Sequence, residues 1–96
     1  MRVLMTVQMD TEKANKAIAD KSLPQIMQSV LEQIKPEAVY FGALEGRRTA
    51  YIVFDLEDAA GIPAVAEPFF QHLHAKVDFV PVMDFKDVQA GLAKLG

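Results

Sequence analysis

The apolar residues of this chain change their spacing from two, to between three and four, and back again, and that alternation limits the folds open to it. Val3, Met5, Val7 and Met9 recur at period two, which predicts a first strand over residues 2–9 with Leu4 and Thr6 keeping its other face largely non-ionic. Asp10 or Thr11 is placed to cap a short helix whose stripe is Ala14, Ala17 and Ile18. Ser22 and Gln25 have capping-box spacing, and Pro24 fits only a first helical turn, so a second helical piece carrying Ile26, Met27, Val30, Leu31 and Ile34 is expected after a break near Lys21. Lys35-Pro36 ends it.

Period two returns over residues 38–44 and 49–56, with Glu45-Gly46-Arg47-Arg48 between them, which predicts a hairpin with Gly46 in its turn. Ile62, Val65, Ala66, Phe69, Phe70 and Leu73 then form the clearest helical stripe, with Asp58 as a candidate cap, Pro63 near the start and Pro68 inside. Residues 75–83 read as a last strand, and the proline at 81 confines it to an edge or a bulge. A short helix through Val88, Leu92 and Leu95 follows.

Composition narrows the function classes. A chain of 96 residues with 51% apolar side chains makes one domain, spanning 1–96. With no cysteine, disulfides, thiolate chemistry and Cys-ligated metals are excluded, and a cytoplasmic location is the default. A net charge of −3 without a basic run is not the footprint of a nucleic-acid binder. No apolar run is long enough to span a membrane, and the opening residues lack the pattern of a signal peptide. No cofactor motif is present, neither a GxGxxG nor a Walker A sequence.

The order strand, helix, strand, strand, helix, strand is that of the ferredoxin-like α+β fold: a four-stranded antiparallel sheet in βαββαβ order with helices on one face, here with a C-terminal helix added. Two helices cover only one side of such a sheet. The other side is expected to be apolar as well, through Tyr51, Val53, Val77 and Phe79 or their neighbours at the alternate parity. A homodimer with sheets facing each other, clasped by the C-terminal helix, answers that exposure. The competing arrangement is a monomer wetted by Arg2, Gln8, Thr49 and Asp55.

The segments Lys35-Pro36-Glu37-Ala38-Val39-Tyr40-Phe41, Gly46-Arg47-Arg48-Thr49 and above all Ile62-Pro63-Ala64-Val65-Ala66-Glu67-Pro68-Phe69-Phe70 resemble a family of small, uncharacterised bacterial proteins over nearly the whole chain. At the level of fold the chain is similar to the dimeric α/β-barrel superfamily, which includes antibiotic-biosynthesis-type monooxygenases, muconolactone isomerase-like proteins and haem-degrading enzymes. That likeness implies a fold and a dimer, and it licenses no activity. Haem-degrading members use an axial histidine with an asparagine and a tryptophan nearby; this chain has no tryptophan, and Asn15 is its sole asparagine.

Four side chains are candidates for chemistry. Glu67, beside Pro68, would act as a general base if a kink turned it into a desolvated helix–sheet cleft, and is otherwise a solvated helix residue. His72 shares with His74 an i, i+2 spacing unlike that of helical zinc sites, and the pair also suits the terminal carbonyls of its helix. Tyr40 and Tyr51 are phenols able to hold an enol or quinone oxygen in a cleft, or core and interface residues. Arg47 and Arg48 read as solvated charge at the hairpin tip, and Asp55, Glu57 and Asp58 as complements to a helix dipole, with no metal assigned.

Two functional readings follow. In one, a cleft lined by Met5, Met27, Phe54, Phe69 and Phe70 takes a small apolar or aromatic substrate for cofactor-independent oxygenation or isomerisation. In the other, the cleft is filled, and the protein is a non-catalytic small-molecule-binding or dimeric interaction module.

Overall fold

The computed structural model describes residues 1–96. The elements are β1 (Arg2–Gln8), α1 (Thr11–Ala19), α2 (Ser22–Ile34), β2 (Ala38–Leu44), β3 (Arg47–Asp55), a 3-10 turn (Ala59–Gly61), α3 (Ile62–Leu73), β4 (Lys76–Pro81) and α4 (Phe85–Ala93). The strands form one antiparallel sheet in the order β2-β3-β1-β4, the ferredoxin-like arrangement expected from the element order.

Local chemistry explains most of the boundaries. The Asp10 carboxylate accepts from the Lys13 N–H and starts α1. The break between the first two helices falls at Lys21, which adopts φ 67°. Ser22 does not close the expected capping box. Its N–H instead donates to Asp20 Oδ1 at 2.9 Å, because the left-handed backbone at Lys21 makes Lys21 itself the cap position. That contact, with the Ser22 hydroxyl first and Lys13 adding to it, holds the Asp20 carboxyl below its usual value. The hairpin turn is tighter than the four-residue connection expected: β3 begins at Arg47, leaving Glu45 at φ 55° and Gly46 at φ 75° as the two central residues of a primed turn. Asp58 caps the 3-10 turn rather than α3, which begins at Ile62 with Pro63 in its first turn. Pro81 ends β4, an edge strand paired only to β1, where a missing donor does least harm.

The sheet register sorts the side chains into two surfaces. Toward the helices run the rows Phe54–Val3–Pro81, Val39–Ile52–Met5–Phe79 and Phe41–Ala50–Val7–Val77. Val3, Met5, Val7, Ala50, Ile52 and Phe54 are fully buried there against Ala14, Val30, Val65, Phe69 and Leu73 of the helices. Phe54 and Phe79 meet edge to face with ring centres 6.4 Å apart. Val77 and Phe79 therefore belong to the helix side and not to the open side, because each lies opposite a core residue of β1, Val7 and Met5. Tyr51 and Val53 do face the open side.

The buried Phe69 ring and the outward Phe70 ring, adjacent on α3, give a direct check on this packing. Phe69→Ala is expected to destabilise the fold by about 3–5 kcal/mol through the cavity it leaves, and Phe70→Ala by no more than about 1 kcal/mol. Urea unfolding of the two variants measures the difference.

Candidate functional site

No single cleft between helices and sheet gathers Met5, Met27, Phe54, Phe69 and Phe70. Met5, Phe54 and Phe69 are sealed in the core and Met27 is nearly so, while Phe70 points outward. Interior space that a substrate would need is filled by these side chains, so the hollows of the molecule lie around its margin. The largest, about 590 Å³, sits between the end of α2 and the start of α3, with Lys35, Asp55, Glu57 and Asp58 around Leu56 and Val65. Two adjoining hollows of about 360 and 310 Å³ run along the helical layer and share Gln25, Ile26 and His72. A fourth of about 180 Å³ lies between α2 and the β2–β3 hairpin.

The four candidate side chains do not converge. Glu67 is exposed on α3 and lines none of these hollows, so the desolvation required of a cleft base is not present there. His72 lies on the outer surface of the helical layer, at the two adjoining hollows near Lys13, Lys16 and Gln71. Neither histidine side chain bonds the end of α3; the His74 main chain, at φ 44°, closes that end by donating to the Phe69 carbonyl. Tyr40 and Tyr51 are on the opposite side of the sheet, directly across from each other on β2 and β3. The sheet thus stands between the two tyrosines and the Glu67–His72 helix. No group of three His, Asp or Glu side chains is arranged to hold a metal ion.

What the structure does gather is an uncovered surface. On the open side of the sheet the row Ala38–Val53–Leu4–Val80 is apolar across all four strands. Beside it runs Tyr40–Tyr51–Thr6–Asp78, and beyond that Gly42–Thr49–Gln8–Lys76. The face grades from apolar near β1's start to polar near its end, and Tyr40 is 70% exposed on it.

The apolar end of this face is also where α4 departs. Arg2, on the open side of β1, gives its Nε–H to Glu37 at 2.6 Å and sets Nη1 3.4 Å from Asp84 and 3.6 Å from Asp87 at the root of α4. Asp84 and Asp87 form a reciprocal capping box, with bonds of 2.8 and 3.1 Å. The Val82 N–H donates to the Arg2 carbonyl at 3.1 Å. Past this root α4 leaves the body: Phe85, Leu92 and Leu95 are 74%, 60% and 82% exposed, and the molecule extends 56 Å along its longest axis. Its Cα radius of gyration, 15.2 Å, exceeds the roughly 12.5 Å of a compact chain this long. The sequence offers Arg2 only as a residue that wets the open face; the i, i+3 pair Asp84 and Asp87 marks a helix start, and only the fold brings that start to Arg2.

The hydrogen bond from the Asp87 N–H, with Arg2 adding to it, holds the Asp84 carboxyl below its ordinary 3.8. A carboxyl depressed on folding contributes stability that is whole above its unfolded value and is lost as pH falls through the folded one. The root of α4 should therefore stay ordered from neutral pH down to about pH 4 and loosen only in stronger acid. Amide chemical shifts of residues 84–88 followed through an acid titration check this, and Asp84→Ala should loosen the root at every pH.

A comparison with curated proteins finds no match. The family described as Domain of unknown function (DUF3303) matches residues 1–96, and the chain belongs to that family.

Proposed function

We propose that this protein works through its surfaces, as a cytoplasmic homodimeric interaction module in which two copies pack their open sheet faces together and each lays α4 against the other. The observation that carries this reading is α4 itself. Phe85, Val88 and Leu92 at offsets of zero, three and seven, continued by Leu95 just past the helix end, form an apolar stripe on which Phe85, Leu92 and Leu95 are exposed and Val88 is half-buried. Arg2 holds the root of the helix in place, so the stripe is presented outward. One chain offers a bare apolar row and, beside it, a bare apolar arm. A two-fold axis uses both twice and closes the assembly, leaving no further surface to recruit more copies.

In this arrangement Tyr40 and Tyr51 are interface residues, large amphipathic rings suited to a surface that is dry in the middle and wet at the rim. Thr6, Asp78 and Lys76 supply that rim. The filled helix–sheet interior and the separation of Glu67 and His72 from the tyrosines favour this reading over a catalytic cleft within one chain.

Sedimentation velocity at micromolar concentration should give the mass of two chains. Leu92→Glu and Tyr40→Glu, both at exposed positions where a monomer tolerates charge, should each shift the protein to the mass of one with its circular dichroism unchanged. A wild-type protein that sediments as a single chain overturns the proposal.

A further inference from the structure

The hollow of about 180 Å³ is on the helix side of the sheet, away from the face proposed for pairing. It exists because the helical layer stops short of the outer strand: Phe41 points toward the helices from β2, yet it is 63% exposed. Its walls are Met9, Met27, Leu23 and Phe41, three flexible or branched side chains and one ring. Methionine adapts to the outline of whatever fills such a space and packs well against aromatic edges. An apolar cavity of about 150 Å³ is enough to take a benzene ring.

One ionisable residue lines this space. Arg48 is on the helix side of β3, opposite Ala43, and no aspartate or glutamate shares the lining with it. The ion pairs of the protein gather at the far end of the sheet, on Arg2 and the Met1 amino group, and Arg48 takes part in none of them. Thr49, its neighbour in the chain, turns its side chain to the other face, where the hydroxyl donates to the Arg47 carbonyl at 3.0 Å. Arg47 itself faces the other side of the sheet. The hollow thus combines an apolar wall sized for a ring with a single guanidinium that has no partner.

We propose that this hollow binds a small monocarboxylic acid with a ring-sized apolar body, the body among Met9, Leu23, Met27 and Phe41 and the carboxylate on the Arg48 guanidinium. The planar fork of arginine fits a carboxylate in a two-point contact. One cation balances one negative charge, which suits a carboxylate better than a phosphate dianion. The site does not depend on dimer formation, and the sedimentation result above is independent of it.

Benzoate and its neutral counterpart benzamide serve as the probes, titrated into the ¹⁵N-labelled protein. Benzoate should shift the amides of residues 23, 27, 41, 42, 48 and 49 saturably and bind about tenfold tighter than benzamide, a margin of about 1.4 kcal/mol. Arg48→Gln, at an exposed position, should bring benzoate down to the level of benzamide. Leu23→Trp, which fills the hollow, should remove both. The proposal is overturned if benzoate gives no saturable shift at millimolar concentration, if its shifts fall elsewhere, if the two probes bind alike, or if Arg48→Gln leaves benzoate binding as it was.

Discussion

The register of β1 is the constraint on which everything else depends. It is a central strand, bonded on one side to β3 and on the other to β4, and its odd-numbered residues Val3, Met5 and Val7 are buried against the helices. Side chains on a strand alternate, so this placement fixes the even positions as well: Arg2, Leu4, Thr6 and Gln8 must face away. Through its two ladders β1 imposes the same division on its neighbours. Ile52 and Phe79 go to the helix side because Met5 does, and Val53 and Val80 go to the open side because Leu4 does. Buried Gln8 then ties the strand to the hairpin, its amide nitrogen donating to the Leu44 carbonyl at 3.0 Å.

That division explains why the open face is uncovered and the space between sheet and helices is filled. The helix-side rows carry Phe54, Ile52, Met5 and Phe79, bulky enough to meet Phe69, Val65 and Leu73 without leaving room between the layers. The open-side rows have no helix above them. A monomer would leave Leu4, Val53, Tyr40 and Val80 to water over a continuous area, next to an arm whose own apolar stripe is equally bare.

The fold was legible in the sequence because its signals are local. Alternation at period two and helical stripes are written in neighbouring residues, and the break at Lys21, the turn at Gly46 and the edge position of Pro81 each follow from the backbone habits of one or two residues. The faces were half legible. Both parities are apolar in β3 and in β4, Tyr51 and Val53 against Ile52 and Phe54, Val77 and Phe79 against Val80, so alternation alone does not say which parity is inside. Only pairing with Val7 and Met5 decides it. The site was the least legible part. Glu67 was tied to a cleft whose openness depends on how tightly Phe54 and Phe69 pack, a property of the assembled layers. Arg2 joins residues 2, 37, 84 and 87, which no local pattern brings together.

The hairpin turn carries more of the functional architecture than its two residues suggest. With Glu45 and Gly46 both at positive φ, β2 and β3 are linked by the shortest connection that follows the natural twist of the sheet, and their pairing cannot slide without remaking the turn. That pairing puts Phe41 and Arg48 on the helix side, where they border the apolar hollow, and Tyr40 and Tyr51 on the open side, opposite each other. A slip of one residue in β3 would exchange the sets: Arg48 would move to the open face and Tyr51 into the core. Glu45 tolerates its left-handed conformation at some cost, since a side chain there is less at ease than glycine. The turn therefore holds a strained residue and, with it, a register that keeps the two surfaces of the sheet chemically distinct, Tyr40 and Tyr51 on one and Phe41 and Arg48 on the other.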